Sequence, residues 1–324
     1  MSIRGSVFVE TPARLHFGVL DLRGSLGRCF GGLGAAIPSP SLLLEASAAE
    51  SIVARGPDAD RATEFAERFM SYHRLPHGVS LTIHRSIPSH AGLGSGTQLG
   101  LAVARAIAEL YGLPTDPVGL ARATARGRRS AIGTWTFALG GFIVEGGRRA
   151  GSEELAPLLA RFPIPASWRC VVAVPSGRSG LSGEAEARAF QELPSPPDRE
   201  VERVSHLVLM QLLPALVEAD LPSFGEALSA VQRITGSWFA QQQGGVFSPG
   251  KTERLIESMT HWGAAGVGQS SWGPSAYGLV ESDNAAADLA NRVRGELGEN
   301  GAVFEGGFAP RGAQVWMGST SQMQ

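Results

Sequence analysis

Pro88-Ser89-His90-Ala91-Gly92-Leu93-Gly94-Ser95-Gly96-Thr97-Gln98 is the stretch on which the reading of this chain turns. Ahead of it Val79, Leu81 and Ile83 alternate with Ser80, Thr82 and His84, the period-two signature of a half-buried strand. Behind it Leu99, Val103, Ala106 and Leu110 recur at helical spacing until Gly112 and Pro114 stop the helix. A glycine loop between strand and helix gathers unpaired N–H groups and the positive end of the helix dipole around space that no Cβ fills. That arrangement favours a phosphate or pyrophosphate, with Ser95 and Thr97 either capping the helix or donating hydroxyls. Ser89, Gly92, Gly94, Ser95, Gly96, Thr97 and Gln98 are therefore candidate phosphate-binding residues. His90, inside the loop, is placed to touch a phosphate oxygen or carry a proton. A plain turn with a capped helix is the simpler reading, but four small residues after Gly92-Leu93 weigh against it. The spacing matches neither Gly-x-x-x-x-Gly-Lys-Ser/Thr nor a dinucleotide Gly-x-Gly-x-x-Gly, which disfavours a Walker ATPase and a Rossmann dehydrogenase.

Outward from the loop, 324 residues suggest two domains, and the boundary is placed near residue 165, giving 1–165 and 166–324. Hydrophobic residues at 43% and charged residues at 18% allow a sizeable core. The formal net charge of −2 argues against a nucleic-acid binder. Cys29 and Cys170 lie far apart and suggest a reducing compartment. The N-terminus lacks a signal-peptide apolar core and no window nears the roughly 18 apolar residues of a membrane span, so a soluble, cytoplasmic protein is expected. Ser6 to Glu10 and Arg169 to Val174 read as strands, and Leu193 to Pro197 as a breaker-rich loop. Val201 to Ala219 and Phe224 to Trp238 read as helices, with a mixed segment from Ala264. Interspersed strands and helices point to an α+β protein.

Arg122, Arg126 and Arg129, four and three apart, would share one face of a helix, and with Arg128 they form the densest cationic cluster. A solvated helix face explains them equally well. Arg14 and His16 follow the first strand into a loop, and alternation points both away from Leu15 and Phe17. Asp21 can bind ribose hydroxyls or Mg²⁺, or simply cap a turn, and Arg28 follows it. Glu184 and Glu186 are acidic candidates of a type that is mostly solvated. Among the tryptophans only Trp272 reads as a pocket wall; Trp135, Trp238 and Trp262 read as core. No Cys/His spacing suggests zinc, and no Gly-x-Ser-x-Gly elbow suggests a hydrolase.

Three of these segments carry a family resemblance. Pro88 to Gly96 resembles the second motif of the GHMP kinases, Pro12 to Gly18 their first, and Gly266 to Pro274 their third. The resemblance implies an N-terminal two-layer α/β domain, a C-terminal ferredoxin-like domain and a site between them. In the kinases an Asp acting as base precedes a Gly-Gly pair. Here Arg128 to Gly141 contains no carboxylate, which leaves phosphoryl transfer from ATP without its base. Ala13 to Gly18, Arg126 to Gly133, Gln243 to Ser248 and Val267 to Pro274 resemble instead the β-ribofuranosylaminobenzene 5′-phosphate synthase branch. That branch joins phosphoribosyl pyrophosphate to 4-aminobenzoate, with loss of pyrophosphate and CO₂, in methanopterin biosynthesis; 4-hydroxybenzoate would be activated in the same way.

The resemblance implies Mg²⁺ on the pyrophosphate, a cation for the benzoate carboxylate and a dry site. It places Arg14, His16, Asp21, Arg128 and Arg129 at the chemistry. Arg28, His90, Arg126, Ser130, Gly268, Gln269, Ser270, Ser271 and Trp272 are placed around the substrate. The expected partners are these small molecules, with neither nucleic acid nor membrane; a homodimer is compatible with the family, though nothing in the sequence sets the oligomeric state. An ATP-dependent kinase that recruits its base from elsewhere, and a non-catalytic binder of phosphorylated ligands, are the competing readings.

Overall fold

The computed structural model describes residues 5–177, 179–181 and 183–318. The first half runs β1 (Ser6–Asp21), β2 (Arg28–Ala49), β3 (Val53–Arg55), α1 (Ala59–His73), β4 (Gly78–Arg85), α2 (Ser95–Tyr111), α3 (Pro117–Ala123), α4 (Ile132–Leu139), β5 (Phe142–Glu145), β6 (Arg148–Arg149) and β7 (Leu158–Phe162). The second runs β8 (Arg169–Pro175), α5 (Gly183–Glu192), α6 (Asp198–Leu207), a π-helical turn (Val208–Leu212), α7 (Leu213–Glu218), α8 (Leu221–Gln243), α9 (Lys251–His261), β9 (Gly266–Gln269), β10 (Ala276–Val280), α10 (Asp283–Leu297), β11 (Gly301–Gly306) and β12 (Gln314–Gly318).

One sheet has the order β12-β1-β2-β4-β3, with β5 and β6 paired to β2 and β7 paired to β5. Its inward residues, among them Val7, Val9, Leu15, Leu33 and Leu44, are fully buried. They meet α2, whose residues 98–104 are all buried because the sheet covers one side and α1, α3 and α4 cover the others. Burying each large aliphatic contributes roughly 1.5–3 kcal/mol, so this contact anchors the helix that carries the glycine loop.

The other sheet is antiparallel with the order β11-β8-β10-β9. With α9 and α10 as crossovers, this is the βαββαβ arrangement of a ferredoxin-like unit. Alternation divides its faces. Val171, Ala173, Val267 and Ala276 pack against Leu255, Met259, Leu289 and Val293 of α9 and α10. Cys170, Val172, Tyr277 and Leu279 join the core of the first sheet, where Phe17 meets Tyr277 edge-on at 5.1 Å.

Two local expectations differ from the structure. The first strand does not stop at Glu10 but runs to Asp21 through bulges at Pro12/Ala13 and His16/Gly18, because β2 offers a partner along nearly its whole length. The arginine helix is cut short: α3 ends at Ala123, Ala125 takes a left-handed φ of 53°, and Arg126 to Ser130 form a loop. Only Arg122 lies on that helix, and it is exposed. The final strand β12 pairs with β1, so the first sheet draws residues from both sides of residue 165. Among the described residues no helix is long and apolar enough to cross a membrane, and both cysteines are free.

Candidate active site

The glycine loop is held in place by the segment after β9. The Gly92 carbonyl accepts the Ser270 hydroxyl at 2.7 Å and Arg14 Nη1 at 2.5 Å. Ser275 Oγ donates to the Ala91 carbonyl at 2.6 Å, and the His16 N–H donates to Ser270 Oγ at 3.0 Å. A Cβ on Gly92 would stand 2.1 Å from the Ser270 carbonyl oxygen, so only glycine permits this approach, at a φ of 79°. Helix α2 begins on Gly94, with no side chain capping it and no acid in its first turn. Its positive end is left to whatever occupies the adjoining cavity.

Two arginines meet over that end. The Nη2 atoms of Arg61 and Arg126 each lie 2.7 Å from the point where a Cβ on Gly96 would sit. Burial lowers the Arg126 guanidinium to about 10, and the neighbouring charges of Arg61, Arg129 and Arg68 add to that. Phe65 lies under Arg126 at 5.3 Å. Burial likewise brings Arg14 to about 10. Cations crowded against a helix N-terminus make a site for an anion with several charges.

Arg14 and His16 both face the cavity, with Leu15 and Phe17 in the core, as alternation along β1 requires. Burial first, and Arg14 second, lower His16 to about 3, so its ring is neutral. Its Nε2 lies 3.1 Å from Ser130 Oγ. The far wall is aromatic. Phe190 of α5, Phe239 of α8 and Trp272 pack edge-on with centroids 4.9–5.8 Å apart. Arg129 sits over Phe190 at 5.6 Å and forms an ion pair with Glu186. The cavity so enclosed measures about 390 Å³, enough for a small substrate pair.

Most of the predicted site residues converge on this cavity. Arg14, His16, His90, Arg126, Arg128, Arg129 and Ser130 line it, as do Gly92, Gly94, Ser95, Gly96 and Thr97, with Gln269, Ser271 and Trp272 opposite. Six others lie outside it. The Asp21 carboxylate caps its own turn, accepting the N–H groups of Arg23 and Gly24 at 2.6 and 2.9 Å. Arg28 donates to the Gly147 carbonyl at 3.0 Å. Ser89 lies between Arg61 and Asp58. Gln98 faces inward and ties α2 to α4 through the Gly133 carbonyl at 2.9 Å. Gly268 lies beneath Gln232 and Tyr277, where a Cβ would come within 2.5 Å of each. Ser270 acts from behind the loop, as described.

The sequence carried no signal for Arg61 or Phe190, whereas Glu186 stood as an acidic candidate of a type that is mostly solvated. Arg61 opens α1 with the common cap-like spacing Asp58–Arg61, which carries no ligand signal by itself. No group of three or more His, Cys, Asp and Glu side chains able to hold a metal occurs among the described residues. Glu186 is the cavity's one carboxylate among them and is paired with Arg129. Among the described residues the donor set does not fit a protein-held Mg²⁺.

Residues 60–141 match the model of the GHMP kinases N-terminal domain and residues 212–300 that of the GHMP kinases C-terminal domain. The chain is 33% identical to the β-ribofuranosylphenol 5′-phosphate synthase of Methanothermobacter thermautotrophicus, over 93% of this chain and 96% of that protein. It is 34% identical to the enzyme of the same name from Archaeoglobus fulgidus, over 90% and 93%. Its fold superposes on homoserine kinase from Cytophaga hutchinsonii with a TM-score of 0.68, covering 98% and 99% of the two chains at 16% identity. The chain belongs to the GHMP kinase superfamily, in the family of the β-ribofuranosylphenol 5′-phosphate synthases.

Proposed function

We propose that this protein transfers the phosphoribosyl group of phosphoribosyl pyrophosphate to the carboxyl-bearing carbon of a para-substituted benzoate, 4-aminobenzoate or 4-hydroxybenzoate, releasing pyrophosphate and CO₂. The observation that carries this reading is a single cavity joining an arginine-walled phosphate site at Gly96 to an aromatic box at Phe190, Phe239 and Trp272. The kin named for a ribofuranosylphenol phosphate product support the synthase part of it; a place in methanopterin biosynthesis is part of the proposal.

Arg61, Arg126 and the α2 N-terminus stabilise the charge that develops on the departing pyrophosphate, as preorganised donors do. Mg²⁺ bound to that pyrophosphate would supply further charge neutralisation. Phe190, Phe239 and Trp272 stack the aromatic acceptor and keep water from an oxocarbenium-like ribose. Arg129, at the edge of that box, is the cation for the benzoate carboxylate.

The reading is tested by supplying phosphoribosyl pyrophosphate, Mg²⁺ and either benzoate, and following pyrophosphate together with the riboside. Turnover of neither benzoate by folded protein refutes it, and phosphoryl transfer from ATP to a small alcohol would establish the kinase reading instead.

A further inference from the structure

Arg129 faces the cavity with a partner already on it. Arg14, Arg61, Arg126, Arg128 and Arg129 line the cavity, and Glu186 is the one carboxylate among the described residues that faces them. Arg129 Nη2 donates to Glu186 Oε2, and among the described residues this guanidinium has no other hydrogen-bond acceptor. Arg129 lies over the Phe190 ring at 5.6 Å as well. Glu186 and Phe190 are four residues apart on α5, so one face of that helix brackets the cation. The pair is partly open to solvent, with side-chain exposures of 32% for Arg129 and 21% for Glu186. Pairs with this access to water are held weakly enough to be exchanged.

The place of the pair matters more than its strength. Phe190 is a wall of the aromatic box, packed edge-on against Phe239 at 5.8 Å and Trp272 at 5.5 Å. A flat ring seated in that box has its rim at Arg129, the cation assigned above to the benzoate carboxylate. Two carboxylates drawn to one guanidinium repel each other, so Glu186 competes with the benzoate for Arg129. Glu186 is not needed as a latch for α5. Phe190 fastens the helix by packing, meeting Phe30 edge-on at 5.5 Å in addition to the box, and Gln242 donates to Glu192 at 3.1 Å. The charge of Glu186 is felt beyond its own contact. Burial lowers Arg14 and Arg126, and Glu186 favours their protonated forms against it.

We propose that Glu186 is a positioning residue acting through Arg129, the resident counter-ion that the acceptor's carboxylate displaces and that returns as CO₂ leaves; this rests on the transferase reading above. In the reaction the carboxyl-bearing carbon bonds C1 of the ribose as pyrophosphate leaves with the C1–O pair. The C–C bond to the carboxylate then breaks, its electron pair restores the aromatic ring, and CO₂ departs uncharged. Arg129 is left without its anion, and Glu186 takes the cation back. Arg129 holds the carboxylate in the ground state, and that hold weakens as charge passes into the ring. An uncontested Arg129 would therefore bind the benzoate more tightly and resist decarboxylation by the same amount. Glu186 offsets both effects by competing for the cation. The device acts on charge, so it distinguishes a carboxylate from an amide of the same shape.

The test compares wild type with Glu186→Gln, in which the side chain keeps its shape and loses its charge. With phosphoribosyl pyrophosphate and Mg²⁺ supplied, kcat and KM are measured for 4-hydroxybenzoate and 4-aminobenzoate, and the inhibition constant for 4-hydroxybenzamide. The exchange predicts that KM for the benzoate and kcat fall together in the variant, each about fivefold, leaving kcat/KM little changed. KM for phosphoribosyl pyrophosphate and the inhibition constant of the benzamide stay as in wild type. A benzoate KM that is unchanged or raised overturns the exchange and leaves the transferase standing. An equal change for the benzamide does the same, since it marks a structural role, and so does a lower KM confined to phosphoribosyl pyrophosphate. A fall in benzoate KM with kcat unchanged contradicts the return of Glu186 as CO₂ leaves. A wild type that turns over neither benzoate overturns the transferase reading and the exchange with it.

Discussion

Gly96 occupies the second position of α2, where glycine is a poor helix former, and two guanidinium groups crowd the space its missing side chain leaves. Gly96→Ala should therefore separate stability from binding. Helix propensity raises stability by about 0.5–1 kcal/mol in urea unfolding, while the methyl group displaces Arg61 and Arg126 and raises KM for the phosphorylated donor about tenfold. Unchanged KM would remove Gly96 from the phosphate site. His16 carries the second residue-scale prediction. Its folded value of about 3 lies below the unfolded value near 6.5, so between these limits the unfolded chain binds more protons. Stability is lost as pH falls from about 6.5 toward 3. Between pH 7 and pH 5 the wild type should lose on the order of 2 kcal/mol more than His16→Gln, at about 1.4 kcal/mol per unit. Parallel losses in the two proteins would show that His16 can charge in the fold.

At the scale of elements, α8 holds the two sheets at the site. The Gln232 amide donates to the Phe17 carbonyl at 2.6 Å and accepts the Gln269 N–H at 2.8 Å, joining β1 to β9 from a position only 5% exposed. A carboxylate keeps the acceptor but cannot make the donation. Gln232→Glu should thus cost about 2–3 kcal/mol in thermal or urea unfolding. Loss of less than a few tenths would mean that the bridge is dispensable. Elements differ in how clearly the sequence announced them. The strand, loop and helix around Gly92 were legible because alternation, glycine spacing and helical period are local signals. The continuation of β1 past Glu10 was not, since only pairing with β2 carries the strand on through Pro12 and Gly18. The spacing of Arg122, Arg126 and Arg129 suggested a helix face that the end of α3 at Ala123 removes.

Across the whole molecule, the site is assembled from groups that sequence separation hides. Arg61 and Arg126 meet over Gly96, and Glu186 reaches Arg129 from α5, 57 residues along the chain. The absence of a carboxylate from Arg128 to Gly141 was a correct local reading, whereas the place of Glu145, which accepts the Ala131 N–H, depends on the register of β5 against β2. Motif words sufficed for the family and for the glycine loop; the aromatic box and the arginine pair required the tertiary fold. Both lie in one cavity, which is what a reaction between a phosphorylated sugar and an aromatic acid demands. The measurement that bears on this most directly uses 4-hydroxybenzoate labelled in its carboxyl carbon, mixed with phosphoribosyl pyrophosphate and Mg²⁺. One labelled CO₂ should appear for each pyrophosphate, with an unlabelled carbon-linked riboside phosphate as product. Label retained in a ribosylated product, or pyrophosphate released without CO₂, would contradict ribosyl transfer to the carboxyl-bearing carbon.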